Sequence, residues 1–229
     1  MIAVLALAAA LGAAQEPPRT GHWEKKPSAL LFFDSDGDLA GEHHLGPADD
    51  GAKLAKGGVS KDGRFAWLFE KTTNWNVGRT KMLGSQRRLR LLGSDGRALW
   101  ESADADEPLN GGDPLLFSAD GETTLDSERA ARGWRVVTRS YMGIVLTEAG
   151  PFHELQEIAL TPDARFAMAR WTVPDQSATH TFLDLTKKTR KDVASDTFEL
   201  GQARLADDGK VYSSGKVVLD LAAPAPEKK

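Results

Sequence analysis

One short unit recurs along this chain, and it limits the fold more than any other feature. Val59-Ser-Lys-Asp-Gly-Arg-Phe-Ala-Trp67 matches Leu160-Thr-Pro-Asp-Ala-Arg-Phe-Ala-Met168. Phe117-Ser-Ala-Asp-Gly-Glu-Thr-Thr124 and Leu205-Ala-Asp-Asp-Gly-Lys-Val-Tyr212 are weaker copies. Each places an apolar strand, a tight Asp-Gly or Asp-Ala turn and a second strand. Glycine supplies positive φ at little cost, and the aspartate side chain bonds nearby backbone.

A second hairpin type lies between these. Leu30-Leu-Phe-Phe-Asp-Ser-Asp-Gly-Asp-Leu39 resembles Leu89-Arg-Leu-Leu-Gly-Ser-Asp-Gly-Arg-Ala-Leu-Trp100. Degenerate copies run from Trp134 to Leu146, turning near Met142-Gly143, and from Thr181 to Val193, turning at Lys187-Lys188. The first series turns at Asp62, Asp120, Asp163 and Asp208, the second at Asp36, Asp95, Gly143 and Lys188. Within each series the spacing is 43 to 59 residues, near the period of four-stranded propeller blades. Phe65, Trp67 and Phe69 point to one side of their strand, and the apolar Ala66 and Leu68 to the other. That strand is therefore expected to be buried on both faces. Arg88-Leu-Arg-Leu91 alternates polar and apolar, as a strand with one solvated face does.

The unit resembles the blade of β-propellers of the WD-like or periplasmic Tol-type class. The resemblance covers Ser28 to Leu221. The Trp-Asp repeat signature and the sialidase-type Asp-box are both missing. The fold it implies is all-β, a small propeller of about four blades. The N-terminal hairpin would complete the last blade beside Lys216–Leu221 and so remove exposed sheet edges.

The flanks read differently. Met1–Ala14 is almost wholly apolar and ends in small residues, the pattern of a signal peptide. Residues 15–27 have linker composition, residues 28–221 form the repeat domain, and 222–229 is a tail without core residues. Once exported, the chain would be periplasmic or secreted. No later apolar run is long enough to cross a membrane. Net charge is −4, too modest to point to a nucleic-acid partner. Cysteine is absent, which excludes disulfides, thiolate metal sites and cysteine nucleophiles.

Candidate chemistry is sparse. Asp34, Asp36 and Asp38, followed by Glu42, could gather around calcium, but the spacing departs from an EF-hand and suits a hairpin turn. His43 and His44 are adjacent on a strand and face opposite sides, so they do not share one metal. His153-Glu154 lacks the second histidine of a zinc-protease helix, and no Gly-x-Ser-x-Gly elbow occurs. No cofactor and no metal is expected. Ser102–Glu107 is acidic and reads as solvated surface. The longest interruption between hairpins, Lys71–Arg88, combines Trp75 with Arg79, Lys81, Arg87 and Arg88. Aromatics and arginines anchor interfaces, so Trp75, Arg79 and Lys81 are the candidate binding residues. These features favour a non-enzymatic binding or scaffold protein of the cell envelope, its partner a protein or glycan. The alternatives are a carboxylate-dependent hydrolase or lyase on the same scaffold, and a calcium-stabilised interaction module.

Overall fold

The computed structural model describes residues 20–47, 53–73, 76–77, 80–81, 85–194, 203–213 and 215–223. The signal-peptide reading of residues 1–14 lies outside them, as does most of the 222–229 tail. Among the described residues every regular element is a strand, and none forms a helix long and apolar enough to cross a membrane.

The strands form antiparallel sheets in chain order. The first holds β1 (His22–Lys26), β2 (Ala29–Phe33) and β3 (Leu39–His44). The second holds β4 (Gly46–Pro47), β5 (Lys53–Val59) and β6 (Ala66–Thr73), then, after a two-stranded ribbon of β7 (Asn76–Val77) and β8 (Thr80–Lys81), β9 (Ser85–Leu92) and β10 (Ala98–Ser102). The third is β11 (Leu115–Phe117), β12 (Thr123–Ala130), β13 (Gly133–Ser140) and β14 (Val145–Phe152). The fourth is β15 (Glu154–Leu160), β16 (Phe166–Thr172), β17 (Thr179–Asp184) and β18 (Thr189–Ala194). The fifth is β19 (Arg204–Leu205), β20 (Lys210–Ser213) and β21 (Lys216–Asp220).

The repeated turn explains itself at atomic level. Ser60 Oγ donates to Asp62 Oδ1 at 2.7 Å, the same oxygen accepts the Arg64 amide at 3.1 Å, and the Phe65 amide donates to Ser60 Oγ at 3.0 Å. Ser118 with Asp120 and Thr161 with Asp163 repeat the arrangement. The fourth copy, at Asp208, has Ala206 where the others carry a hydroxyl, and keeps only the bond to the Lys210 amide. The residue after each aspartate has positive φ. A Cβ added at Gly121 would lie 2.8 Å from the Phe65 ring, and one at Gly209 2.5 Å from Phe166. Each turn thus sits on the aromatic of the sheet before it. The fourth sheet follows one that carries Thr123 at that place, and there the turn residue is Ala164, with φ 53°.

Successive sheets are joined by these turns and by apolar layers. Arg64 Nη2 donates to the Asp120 carbonyl at 2.6 Å, and the Ala119 amide to the Pro162 carbonyl at 2.7 Å. Leu125, Trp134, Val136, Phe152, Leu155 and Ile158 form one core between the third and fourth sheets. Met168, Phe182 and Val193 meet Ala203 and Val211 of the fifth. This is a propeller-type array of small antiparallel sheets, all-β as the repeat implies.

Two expectations about the flanks are corrected. Residues 22–26 are not linker but β1, paired with β2 throughout. Trp23, only 3 % exposed, packs with Leu30 and Phe32 and donates its indole N–H to the Gly93 carbonyl at 2.8 Å. The N-terminal hairpin therefore has its own third strand and does not complete the last sheet. Among the described residues β21 pairs with β20, and the first and fifth sheets share no ladder.

Candidate functional site

The segment expected to be a long loop is largely ladder. β6 continues to Thr73 and β9 begins at Ser85, so Lys71 pairs with Arg87 and Glu70 with Arg88. The ribbon β7–β8 caps this long hairpin. Thr72 pairs with Gln86 and Thr73 with Ser85, and the ladder satisfies the backbone there. Of the candidate binding residues, Trp75 and Arg79 lie outside the described residues, and Lys81 stands on β8 with its side chain outside them.

At the base of the ribbon is a cavity of about 570 Å³. Lys53, Lys71, Arg87 and Arg88 line it, against Glu70 and Glu101. Arg87 reaches the buried Asp106 at 3.0 Å, Arg88 reaches Glu101 at 3.2 Å, and Glu70 is taken by Arg90 at 2.6 Å. Lys53 and Lys71 have no ion-pair partner among the described residues. The cleft is thus cationic on a chain whose net charge is negative. A cluster of like charge in a cleft raises the local concentration of anions.

The acidic segment Ser102–Glu107 is solvated surface only at Ala103 and Asp104. Ala105 is buried and bridges to Glu128, and the Asp106 amide donates to the Ser127 carbonyl at 3.0 Å. Asp106 meets Arg129 as well as Arg87, and Glu107 pairs with Lys56. Arginines contributed by strands far along the chain neutralise these acids, which a local reading of composition does not show.

Beside it lies a buried charge network. Asp126 and Glu128 on β12 are 0 % and 1 % exposed. Arg139 on β13 donates to both, at 3.1 Å to Asp126 Oδ1 and 2.7 Å to Glu128 Oε1. Arg135 and the Ser102 hydroxyl complete Glu128, at 2.7 and 2.9 Å. Arg139 also faces the Trp100 ring of the second sheet, 5.4 Å from its centroid. Burial pushes the Asp126 carboxyl up to about 8, with the charge of Glu128 adding to it and Arg139 opposing. Burial also raises Glu128, but the Ser102 hydroxyl, Arg139 and Arg135 outweigh it and hold that carboxyl below its usual value. A carboxylic acid beside a carboxylate is the pairing that acid–base catalysis uses. Here neither oxygen pair is open to a solute, and the network joins β10 to the third sheet.

A further cavity of about 500 Å³ is bounded by β5, β11 and the turns at Ser60 and Ser118, with Asp113 the one carboxylate among its described lining residues. Inward-gathered carboxylates, as a hydrolase on this scaffold would need, are not found there. The Asp34 carboxylate accepts the Asp36 and Asp38 amides, each at 3.0 Å, and so serves the β2–β3 turn. Among the described residues no three histidine, aspartate or glutamate side chains converge as metal ligands.

No protein-family model matches the sequence, and no curated protein matches it. Solved structures share the sheet arrangement at low identity. Hydrazine synthase of Kuenenia stuttgartiensis is 12 % identical over 82 % of this chain and 70 % of its own, with a TM-score of 0.41. A putative TolB from Agrobacterium tumefaciens is 14 % identical over 76 % of this chain and 58 % of its own, at 0.40. A chain of a mitotic checkpoint complex is 12 % identical over 78 % and 62 %, at 0.42. This chain therefore spans between 58 % and 70 % of the length of these structures. At such values the likeness carries no function, and the fold stands on the ladders and turns themselves. They make the chain a propeller-type β-repeat protein.

Proposed function

We propose that this protein is a binding scaffold of the cell envelope, whose partner contact is the cationic cleft of the second sheet with the ribbon above it. The observation that supports this reading is the cleft itself: Lys53 and Lys71, without an ion-pair partner among the described residues, stand beside Arg87 and Arg88 in a cavity of about 570 Å³. Its ligand is an acidic protein segment or an anionic glycan. Trp75, Arg79 and Lys81, carried between β6 and β9, would supply the aromatic anchor and further cations, as at other interfaces. Export rests on the apolar Met1–Ala14 run, with a mature start near Gln15. The closed state of Asp126 and Glu128 favours binding over hydrolysis or lysis.

The test is capture of partners from envelope extract by wild type and Trp75→Ala. Truncating a true anchor costs at least about 2 kcal/mol of binding, so capture should fall sharply while thermal stability stays nearly unchanged. Loss of stability with capture retained by the folded fraction would place Trp75 in the core and end the proposal. Export is checked by mass spectrometry of the envelope fraction. An intact Met1 on cytoplasmic protein would refute it.

A further inference from the structure

The outer strands of adjacent sheets differ in how they meet solvent. The fourth sheet ends in β18, whose five exposed positions include Arg190, Lys191 and Asp192. Charge on an edge strand opposes pairing with other chains. The third sheet ends in β14, and its first half carries Val145 and Leu146, 49 % and 44 % exposed, without a charge before Glu148. The preceding turn adds Met142 and Ile144, 63 % and 60 % exposed. Gly143 in that turn packs on Trp100 of the second sheet. Among the described residues β14 pairs with β13 alone. Its other edge carries the main-chain groups that point away from β13, on alternate residues of Val145–Ala149, with a register shift between Val145 and Thr147, up to the Gly150-Pro151 step, where proline has no N–H to give.

Against this edge lies a cavity of about 360 Å³ between the third and fourth sheets. Thr147, Glu148 and Ala149 line it from β14, and Leu183, Lys188 and Arg190 from the fourth sheet, with Glu148 facing Arg135 at 3.8 Å. Lys188 has no ion-pair partner among the described residues, while Arg190 pairs with Asp192 at 2.9 Å through its Nε. A strand laid along β14 would send alternate side chains into this cavity and the others over Leu146 and Ile144.

We propose that the free edge of β14 takes up an extended segment of a partner protein, adding a strand to the third sheet, with a carboxylate of that segment held by Lys188 and Arg190. Main-chain bonds would give the affinity, and the cavity the choice of side chain. The site is separate from the cleft of the second sheet and stands without it.

The probe is a set of short fluorescein-labelled peptides of alternating valine and threonine, with one glutamate stepped through the sequence, and the same set carrying lysine instead. Fluorescence anisotropy should show saturable binding for the glutamate series in one register, with amide exchange slowed along Val145–Ala149. Leu146→Lys, which places a charge on the edge, should weaken binding about tenfold or more, as loss of an anchor does. Lys188→Glu should weaken the glutamate series and favour the lysine series. Thermal unfolding of both variants should match wild type, since both positions are exposed. Three results would overturn the proposal. They are no saturable binding in either series, binding indifferent to Leu146→Lys, or a dimer by sedimentation velocity that Leu146→Lys dissolves while no peptide binds.

Discussion

The third and fourth sheets share strand order and turn geometry but not interior chemistry. Asp126 occupies the place that Ala169 holds in the fourth sheet and Leu68 in the second, counted from the turn aspartates Asp120, Asp163 and Asp62. Through the ladders, Arg139 opposes Thr124 where Leu183 opposes Ala167 and Leu92 opposes Ala66. One sheet therefore carries an acid and a guanidinium where its neighbours carry alanine or leucine. The repeat fixes the backbone, and each interior is filled by what the adjoining sheet presents. For the third sheet that neighbour includes Ser102 and Trp100 of β10.

The largest effect should come from breaking this pair on one side only. Arg139→Leu takes one of its two cations from the buried Glu128 carboxylate and the donor from the Asp126 acid, and such a loss costs about 3–5 kcal/mol. Asp126→Ala with Arg139→Leu copies the fourth sheet at both places and should recover part of it, because the carboxyl left without a donor is gone while Glu128 keeps Arg135 and Ser102. Denaturant unfolding of the single and double variants measures the difference. Additive destabilisation would contradict the comparison.

Phe65→Ala and Phe166→Ala should each cost a similar amount, about 3–5 kcal/mol, since each ring carries the turn of the next sheet. Thr123→Ala, at the same place in the third sheet, should cost much less. Near-wild-type midpoints for both phenylalanine variants would refute the shared register.

A smaller effect is expected from pH. Asp126 titrates near 8 in the fold and near 3.8 when free, so the folded state binds the extra proton. Stability from this group is complete at low pH and declines as pH rises from about 4 to about 8. His180 is the opposite case. Burial, with Arg170 beside it, lowers its pKa from 6.5 to about 4. It stays neutral in the fold while the free side chain protonates, so stability falls as pH drops from 6.5 toward 4. The two oppose each other below 6.5, and above it Asp126 acts alone. The melting temperature should therefore decline from pH 6.5 to about 8, and Asp126→Asn should flatten that decline. A rising limb in wild type over this range would show Asp126 ionised.

The smallest effect should be at the turns. Gly209→Ala places a methyl against Phe166 at positive φ and should destabilise. Ala164→Gly, following Thr123, should change stability by no more than about 1 kcal/mol. Equal effects at both positions would mean that the ring does not set the glycine.

All eight turns are readable in the sequence because their determinants are local. The Ser/Thr and Asp side chains that bond the backbone lie within five residues of their partners, and Lys188 takes positive φ (54°) where no glycine stands. The interior of the third sheet is not readable, because its acids meet arginines across strands and its loop Ala105-Asp106 is covered from β12. Trp23 is hidden for the same reason. Glu24, Lys25 and Lys26 give its strand a linker's composition, while the contacts that bury it come from Gly63 and Gly93. Lys71–Arg88 looks like a loop because its charges interrupt the apolar alternation. Its strands are held by pairing with each other rather than by a core. The cleft at its base needs Lys53 and Glu101, which only the ladder brings beside it.

Charge reversal in that cleft tests the account most directly. Lys53→Glu with Lys71→Glu leaves every ion pair described for the second sheet in place, so thermal stability should hold. Capture of partners from envelope extract, as proposed, should be lost, and wild-type capture should weaken steeply with added salt. Undiminished capture by the folded double variant, or capture indifferent to salt, would contradict a binding function for this cleft.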